Sequence, residues 1–489
     1  MLFNSYIFIF AFLPVTLFGY FLLNKFKLLK SAQAFLVMAS LLFYAYFNFS
    51  YLWIIIASIL FNFAVNKILH LNVRQTIRKM VLVVGLLCNL GLFVYFKYSN
   101  FFIENINRVF GTDYFLGSIL LPLGISFFTF QQVSYIIDSY KKEVPNYSFL
   151  NYATFVAFFP QLIAGPIVLH KEIVPQFADN TRKKFNFDNF SKGLKAFAFG
   201  LAKKVLIADL FGQVVAIGYN DISALNTTSA LLLMFSYTIQ IYFDFSGYCD
   251  MATGLGLMFN ISIPQNFNSP YKALTITDFW KRWHITLTRF FRKYLYYPLG
   301  GNRRGWVRTY TNIFIVFVVS GFWHGANWTF VLWGVLHGLA SILTRVFDSR
   351  IKKLHPAFSW LMTFAFVNIA WIFFRAPSIG HAVTIIKTIV KCDFGGIPTQ
   401  ISDIFSFDLL KNIALYLGGV FTKFASLPNN ILMALCVVLA IAAILVARNT
   451  NQRIESFKPT AISSVVVILL LVLSIISLSG VSTFLYFNF

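Results

Sequence analysis

Residues 430–447 have the sequence NILMALCVVLAIAAILVA, which contains no charged side chain. A helix needs about 20 predominantly apolar residues to cross the hydrocarbon core of a bilayer, so a run of this length predicts a membrane span. Backbone groups in lipid must form their hydrogen bonds within a helix or within a closed barrel. Because the apolar residues are continuous and do not alternate with polar ones, the run favours a helix over a barrel strand.

Runs of this kind recur along the whole chain. Of its 489 residues, 58% are hydrophobic and 12% are charged, and the mean hydropathy is +0.71. A soluble domain usually has about twice that share of charged residues. We therefore predict an all-α polytopic membrane protein with roughly 11–13 membrane segments, re-entrant pieces included. The apolar segments lie near residues 1–23, 33–49, 51–66, 81–96, 118–137, 196–218, 229–259, 309–323, 328–344, 359–375, 430–447 and 461–485.

The formal net charge is +23, which would also suit a protein that binds nucleic acid. Cytoplasmic loops of membrane proteins collect Lys and Arg in the same way, and this explanation fits the apolar composition better. If about twelve segments cross the membrane, the alternation of basic and neutral connections predicts that both termini are extracytoplasmic. The basic residues that set this orientation are Lys25, Lys27, Lys30, Lys67, Arg74, Arg78, Lys79, Arg345, Arg350, Lys352, Lys353, Arg448, Arg453 and Lys458.

One segment departs from the regular pattern. Residues 150–168 include FFPQLIAGPI, whose two prolines and glycine suit a re-entrant piece that is buried in protein. No internal repeat is visible, which argues against transporters built from inverted repeats. A single membrane domain over residues 1–489 is the simplest organisation. The cysteines lack the spacing of metal ligands, so we predict no metal site; they are Cys88, Cys249, Cys392 and Cys436.

The most polar stretch, residues 264–308, combines basic and aromatic side chains. From Asp278 onward it contains eight Lys or Arg and no further acid, an excess that membrane topology does not require. A helix capped by Thr277 or Asp278 would place Lys281 and His284 on one face and lie at the cytoplasmic interface. Such a helix can hold the phosphates of a coenzyme A or phosphopantetheine thioester, or the headgroups of anionic lipids, and both alternatives stay open.

A second polar stretch, SGFWHGANWTFVLWGVLHG (320–338), places His324 between two apolar segments. Ionisable residues at membrane depth are costly and usually face a cavity or a partner. A neutral imidazole there can accept the proton of an attacking hydroxyl, as general-base acyl transfer requires. A histidine hydrogen-bonded inside the bundle is the alternative, but the polar and aromatic neighbours of His324 and a second histidine in the preceding basic loop favour the chemical role. For His337 we predict structural packing.

A third feature is QIYFDFSGYCDMATG (240–254), which contains Asp244 and Asp250 within an apolar segment. The two carboxylates face different directions on a regular helix, so a paired-carboxylate site is not expected. We expect each to partner an arginine, a histidine or exposed backbone amides and to support the site, with a direct proton role as the less favoured alternative. Ser246 and Gly247 indicate a local break in the helix.

Four motifs occur in order along the chain: FFPQLIAGPIV, QIYFDFSGYCDMATGLGLMFNISIPQNFNSPY, ITDFWKRWHITLTRFFRKYLYYPLGGNRRG and GFWHGANWTFVLWGVLHG. Together they resemble the membrane-bound O-acyltransferase family, and within it the bacterial branch of alginate O-acetylation proteins and peptidoglycan O-acetyltransferases. The resemblance runs through most of the chain. It indicates a motif-rich catalytic core at about 150–346, with flanking helices in 1–149 and 347–489.

The resemblance implies a many-helix fold around a central funnel or tunnel, in the inner membrane of a bacterial cell. It implies transfer of an acetyl group from cytoplasmic acetyl-CoA or a similar thioester to an extracytoplasmic polysaccharide, such as peptidoglycan or an alginate-like glycan. His324 corresponds to the family's catalytic histidine and His284 to its second histidine, whose role, chemical or donor-orienting, stays open. No permanently bound cofactor is implied. The expected partners are membrane lipids and an extracytoplasmic acyltransferase of the SGNH or a similar type.

The candidate site thus combines two histidines with basic and supporting residues. The donor-binding candidates are Lys281, Arg282, Arg289, Arg292, Arg303 and Arg304. The supporting candidates are Asp244, Asp250, Trp323, Asn327 and Trp328, and Asn327, a tryptophan indole or backbone amides could stabilise an oxyanion. Two other functions compete with this one: a lipid or saccharide transporter, and a non-catalytic membrane scaffold for an extracytoplasmic acyltransferase.

Overall fold

The structure, a computed structural model, describes residues 1–417, 421–478 and 484–485. Within these ranges the regular secondary structure is helical, with no β-strand, which confirms the all-α prediction. The first helices along the chain are α1 (Leu13–Lys25), α2 (Leu29–Ala45), α3 (Ser50–His70), α4 (Gln75–Phe110), α5 (Ile125–Tyr140), α6 (Phe149–Ala157), α7 (Phe159–Leu162), α8 (His170–Ala178), α9 (Phe187–Ala202), α10 (Asp209–Asn220) and α11 (Thr227–Met258).

The later helices include those that carry the polar motifs around His284 and His324 and the C-terminal apolar segments. They are α12 (Ile276–Arg282), α13 (Ile285–Phe291), α14 (Gly305–His324), α15 (Trp328–Val346), α16 (Asp348–Ile351), α17 (Pro356–Arg375), α18 (Ile379–Val390), α19 (Thr399–Ser402), α20 (Asp408–Leu417), α21 (Phe421–Ala425), α22 (Asn429–Val446), α23 (Thr450–Glu455) and α24 (Ala461–Ile476).

Six helices of the described chain are long and apolar enough to cross a bilayer: α1 with the turn before it, α3, α4, α15, α17 and α22. The shorter apolar helices α2, α18 and α24 accompany them. The chain is therefore a polytopic helical membrane protein. The larger total of roughly 11–13 segments stays a prediction. Helices such as α11 and α14 are long enough to cross, but they carry polar side chains that are buried against other helices.

The long helix α11 is buried along most of its length and packs closely on α9. Small residues make this approach possible, because a Cβ added to Gly247 would lie 2.8 Å from the carbonyl oxygen of Gly200. α11 continues without interruption past Ser246 and Gly247, so the predicted break at these residues is wrong. Gly247 lets α11 contact α9 closely, and it does not end α11.

The segment with two prolines and a glycine has the features expected of a re-entrant piece. It forms two short helices, α6 and α7, which are separated by Phe158 in a non-helical conformation. Every residue from 152 to 170 is buried. Irregular backbone at membrane depth is tolerated when protein surrounds it, and this segment meets that condition.

Several predicted apolar segments differ from the observed helices at their boundaries; for example, α4 extends beyond the predicted 81–96 at both ends. The segment predicted from residue 118 becomes helical only at Ile125, because 112–122 have no regular structure. The last predicted segment, 461–485, contains α24, which ends at Ile476, and its residues 479–483 lie outside the described residues.

Candidate active site

α14 and α15 form a hairpin whose short connection follows His324, the last residue of α14. Gly321 and Gly334 lie at the crossing of the two helices, and a Cβ added to either would lie 3.1 or 3.2 Å from the Cα of the other, closer than ordinary van der Waals contact. A larger residue at either position would collide with the backbone of the other helix. The close crossing fixes the end of α14, and therefore the backbone of His324.

His324 is enclosed by aromatic rings. Its side chain is 3% exposed, and its ring centroid lies 4.9 Å from that of Trp323, 5.2 Å from that of Trp333 and 5.1 Å from that of Phe374. α14 contains 20 residues, so at about 1.5 Å per residue His324 lies roughly 29 Å along the helix from Gly305. The imidazole is therefore a buried polar group at the end of the hairpin away from the basic loop.

His284 occupies the point where α12 ends and α13 begins. Its backbone is left-handed, with φ of 44°, so the helix is interrupted there. Asn266 holds the break: its backbone oxygen accepts the amide of Ile285 at 3.0 Å, and its side-chain oxygen lies 3.2 Å from Nδ1 of His284. The prediction of one continuous amphipathic helix is wrong, because pairing with the neighbouring 266–268 segment replaces helical hydrogen bonds at this point.

The cap of this region also differs from the prediction. Thr275, and not Thr277 or Asp278, accepts the first free amide of α12 with its side chain. His284 is fully buried, while Lys281 is exposed. The two residues expected on one interfacial face therefore have different environments, since the break at His284 turns the chain inward.

The structure brings the two predicted histidines together around one indole. The ring centroid of Trp323 lies 6.3 Å from that of His284 and 4.9 Å from that of His324. His337, expected to be a packing residue, belongs to the same aromatic cluster, because its ring centroid lies 4.8 Å from that of Trp333. The three imidazoles and the two indoles thus form one continuous buried group.

His337 is fixed in orientation by one hydrogen bond. The indole N–H of Trp280 donates to its Nδ1 at 3.2 Å. A neutral imidazole whose Nδ1 accepts a hydrogen bond carries its proton on Nε2. Fully buried His337 therefore presents an N–H donor inside the aromatic cluster.

Two adjoining cavities open where α15 ends near the basic region. Their volumes are about 160 and 580 Å³, and Thr277, Lys281 and Arg345 line both of them. Arg292 lines the smaller cavity, which reaches inward to the indole of Trp280. We call the two together the cation cavity. None of its three cations forms an ion pair with an acid of the described chain.

Local acids neutralise two of the predicted donor-binding cations. Arg282 pairs with Asp278 at 3.0 Å, one helical turn away. Arg289 pairs with Glu172 of α8, which both of its terminal nitrogens contact. These two arginines hold helices together, and their charges are already compensated.

The remaining donor-binding candidates divide into two groups. Lys281 and Arg292 line the cation cavity, whereas Arg303 and Arg304 lie in the turn before α14 and are not among the lining residues. Arg345, which the sequence analysis used only to orient the chain, is the third cation. Its position on α15 relative to α12 could not be read from the order of residues.

The family model of the membrane-bound O-acyltransferases matches residues 125–379, which include both histidines and the cation cavity. The chain belongs to the membrane-bound O-acyltransferase family. This membership identifies it as an acyltransferase of the membrane and replaces the transporter alternative. The match covers more than half of the chain and contains the predicted motif-rich core.

Curated relatives of this acyltransferase are named for peptidoglycan, alginate and teichoic acid. The peptidoglycan O-acetyltransferase of Helicobacter pylori is 40% identical and aligns with 100% of this chain and 98% of its own length. The probable alginate O-acetylase AlgI of Pseudomonas aeruginosa is 40% identical over 78% of this chain and 73% of its own. The teichoic acid D-alanyltransferase of Bacillus subtilis is 27% identical over 53% and 70%.

Buried polar atoms mark a path from the cation cavity toward the hairpin connection of this acyltransferase. Thr277 and Ser341 line the smaller cavity, and His337, Trp333 and Trp323 follow at greater depth. One side-chain donor or hydroxyl of each is buried without a hydrogen-bond partner among the described residues. A buried polar group left unpaired costs about 1–3 kcal/mol. We call these five residues the polar track, and its atoms suit a ligand that brings polar groups of its own.

Lys97 is a functional candidate that the sequence analysis missed. It lies on α4, and its ammonium donates to the backbone oxygen of Trp323 at 2.6 Å and to Oγ of Ser126 at 3.3 Å. Tyr98 donates to the next carbonyl, that of Phe322, at 2.6 Å. Two residues of α4 thus bind the C-terminal end of α14, where the helix dipole favours a cation.

The signal for Lys97 was present in the sequence. A single lysine follows the apolar segment 81–96 without a turn residue, and α4 continues through it to Phe110. Lys97 has no acidic partner within the part of the chain that the structure describes. A cation inside a membrane helix without an acid is a functional candidate by default.

The two aspartates of α11 lie away from the histidines and support the fold. Asp244 pairs with Lys204 at 2.7 Å and also accepts the backbone amide of Leu485 at 2.9 Å. Asp250 pairs with Lys203 at 2.6 Å. The expected partners were arginine, histidine or backbone amides: the amide of Leu485 confirms this for Asp244, and the two lysines are a correction. They arise because α9 and the turn after it pack on α11.

Asn327 and Trp328 have structural hydrogen bonds. The side chain of Asn327 caps α15 by accepting the amide of Thr329 at 3.0 Å and donates to the backbone oxygen of Pro377 at 2.9 Å. The indole of Trp328 donates to Asn105 at 2.9 Å. Trp328 therefore keeps no indole donor for an oxyanion and Asn327 keeps one amide N–H, whereas the indole donors of Trp323 and Trp333 have no partner among the described residues.

A further cavity of about 360 Å³ lies beside the hairpin connection, at the opposite end of α15 from the cation cavity. Glu104 and Arg108 of α4 line it together with Asn327, Trp328 and Ser378. We call it the far cavity. It is lined by the exposed indole of Trp328 together with charged and amide side chains. The lining residue nearest to His324 in the chain is Ala326, two residues later.

Proposed function

We propose that this membrane-bound O-acyltransferase transfers an acetyl group from a cytoplasmic thioester, acetyl-CoA or a close analogue, toward an extracytoplasmic polysaccharide. The observation that carries the proposal is the position of His324, which shares the aromatic cluster with His284 and lies between the polar track and the far cavity. Relatives named for O-acetylation of peptidoglycan and alginate support the choice of acetyl and of a glycan acceptor.

The donor side is supported by charge and by length. Three cations without acidic partners suit the phosphates of coenzyme A, and the oxygen and nitrogen atoms of the polar track suit the amides of its extended arm. Twelve residues of α15 separate Arg345 from Trp333, which is about 18 Å of helix. A donor with its anionic group at Arg345 therefore needs a long arm to bring a thioester to His324, and a compact acyl phosphate lacks one.

In the proposed reaction, His324 accepts the proton of the attacking hydroxyl while the hydroxyl oxygen bonds to the thioester carbon. The carbonyl oxygen becomes negative, and the indole N–H groups of Trp323 and Trp333 with the charge of Lys97 stabilise it. The carbon–sulfur bond then breaks, and the thiolate takes the proton from His324. His284, held by Asn266, orients the thioester on the other side of Trp323.

The acceptor side is supported by the far cavity. Its indole can stack on the apolar face of a sugar, and its amide, carboxylate and guanidinium can bond hydroxyl groups. We propose that the hydroxyl enters there, on the extracytoplasmic side of the inner membrane, while the cation cavity faces the cytoplasm. This orientation agrees with the positive-inside rule and with extracytoplasmic termini. An extracytoplasmic acyltransferase of the SGNH type would complete transfer to the polymer.

The test uses purified full-length protein in nanodiscs with radiolabelled acetyl-CoA, and it follows thiol release and label transfer. We expect turnover by the unchanged protein and loss of turnover in His324→Ala with donor binding retained. His355→Ala, which removes an exposed histidine, serves as the matched control. Equal thiol release by the unchanged protein and His324→Ala would overturn the proposed base and return the scaffold alternative to first place.

A further inference from the structure

A cavity of about 820 Å³ lies far from the histidines in sequence, at the end of α1. Four lysines line it: Lys25 at the end of α1, Lys27 in the turn after it, and Lys183 and Lys184 in the segment after α8. No acidic side chain is among the described residues that line it. We call this cavity the lysine groove.

The lysines of the groove are only weakly compensated by the protein, through the attraction of Asp179 for Lys183 from beyond ion-pair distance. None of the four lysines forms an ion pair with an acid of the described ranges. Lys183 is 9% exposed and donates to the backbone oxygen of Phe177. A tight turn presents the first pair, since Lys27 has a φ of 61° and its amide bonds back to Asn24 at 3.0 Å. The groove therefore collects cations from two distant parts of the chain.

The rest of the groove is apolar and belongs to a membrane span. Leu17, Phe18, Phe21 and Leu22 of α1 line it, and the Phe18 side chain is 68% exposed on the protein surface. Phe18 lies seven residues before Lys25, which is about 10 Å along the helix axis. The groove thus runs from hydrocarbon depth to the level of lipid headgroups.

We propose that the lysine groove binds an anionic phospholipid. The phosphate of the headgroup would contact the lysines, and one acyl chain would lie along the apolar face of α1. A free phosphate could satisfy only the lysine end, and a zwitterionic lipid brings a cation of its own against four others. The proposal does not depend on the acyl-transfer reaction, because it uses none of the residues of the active site.

The bound lipid would join two parts of the chain that already touch at their apolar side. Phe21 of α1 and Phe185 pack edge to face with ring centroids 5.2 Å apart. Beside this contact, the lysines of the two turns repel one another without an anion between them. An anionic headgroup would remove this repulsion and hold the turn after α1 against the turn after α8.

The experiment measures lipid binding to the purified full-length protein by native mass spectrometry in detergent. The probes are phosphatidylglycerol, phosphatidylcholine and inorganic phosphate, each added in a titration. We expect phosphatidylglycerol to bind at least about tenfold more tightly than phosphatidylcholine, because only the former has a net negative charge. The variant Lys25→Gln/Lys27→Gln/Lys184→Gln should lose at least about tenfold in affinity for phosphatidylglycerol.

Two controls separate the groove from general attraction between charges. Arg350→Gln/Lys352→Gln/Lys353→Gln removes the same charge from another basic connection and should keep phosphatidylglycerol binding within about twofold. Phe18→Ala should weaken the binding of phosphatidylglycerol. Inorganic phosphate should compete with this lipid to the same extent in Phe18→Ala as in the unchanged protein. An equal loss in both triple variants, or complete displacement of the lipid by millimolar phosphate, would overturn the proposal. Thermal unfolding in lipid-free detergent checks that each variant is folded.

Discussion

The cation cavity and the lysine groove are both basic, both lack acidic partners among the described residues, and both lie at helix ends. Their neighbours differ. The wall of the cation cavity is connected to His324 by contacts from Trp280 through His337 and Trp333, whereas the groove continues along the exposed apolar face of α1. Positive charge predicts a phosphate in each case, but the groups beside the charge decide which compound can carry that phosphate.

The comparison bears on an alternative that the basic loop left open. Its lysines and arginines suit either a thioester donor or lipid headgroups when only their number is considered. In the structure, two unpaired cations of the loop, Lys281 and Arg292, line the cation cavity, and a separate set of lysines lines the groove at the end of α1. The two ligands therefore need not compete for one region, and separate substitutions can test each of them.

The largest expected effect is on the chemical step, and it should leave binding at the two basic regions unchanged. Substitution His324→Ala should lower kcat by about 10³-fold, because it removes the group that accepts the hydroxyl proton. Thiol release measured with saturating acetyl-CoA gives kcat, and native mass spectrometry gives lipid binding to the groove. A variant that loses lipid binding as well as turnover would show that the two regions are not independent.

Substitution of Lys97 should have the next largest effect. We expect Lys97→Met to lower kcat by about 10²-fold with little change in the donor KM, because the methionine keeps the length but removes the charge beside Trp323. Steady-state thiol release separates the two constants.

The matched variant for this position is Lys97→Arg, which keeps the charge. The kcat of Lys97→Arg should be at least about tenfold higher than that of Lys97→Met if charge is the important property. Equal defects in Lys97→Met and Lys97→Arg, together with a lower unfolding temperature in both, would assign Lys97 to packing.

Substitutions in the cation cavity should change the KM for the donor and leave kcat unchanged. Arg292→Gln and Arg345→Gln should each raise the KM for acetyl-CoA by about tenfold, since each removes a charge-assisted hydrogen bond to phosphate. Arg303→Gln/Arg304→Gln, a double substitution outside the cavity, is the control and should leave the KM within about twofold. A larger rise in the control would place the phosphates at the turn before α14.

The smallest effect concerns the stability that lipid adds at the groove. Phosphatidylglycerol should raise the unfolding temperature of the unchanged protein by about 2 °C or more, because it binds the folded state only. The variant Lys25→Gln/Lys27→Gln/Lys184→Gln should show no such rise in the same detergent. A full rise in this variant would mean that the stabilising lipid binds elsewhere.

Much of the candidate site could be predicted because its residues stand in recognisable local sequence. His324 and His284 each lie in a short polar motif between apolar runs, and both enter the same aromatic cluster. The basic excess of the loop predicted an anion site, but four of its six candidates are ion-paired or lie outside the cavity. Glu172, which compensates Arg289, comes from another part of the chain, whereas Asp278 pairs with Arg282 one turn away in the same helix.

The sequence alone determined the membrane environment, the helical class and the identity of the two histidines. The first two follow from continuous apolar runs and the third from short motifs. Each of these features is formed by residues that are close together in the sequence. Only the tertiary structure decided that Lys97 binds the end of α14, that Arg345 joins the cation cavity, and that Lys25 and Lys184 share a groove. Each of these depends on which helices pack together, and in a chain where nearly every helix has an apolar surface, composition does not specify the partner.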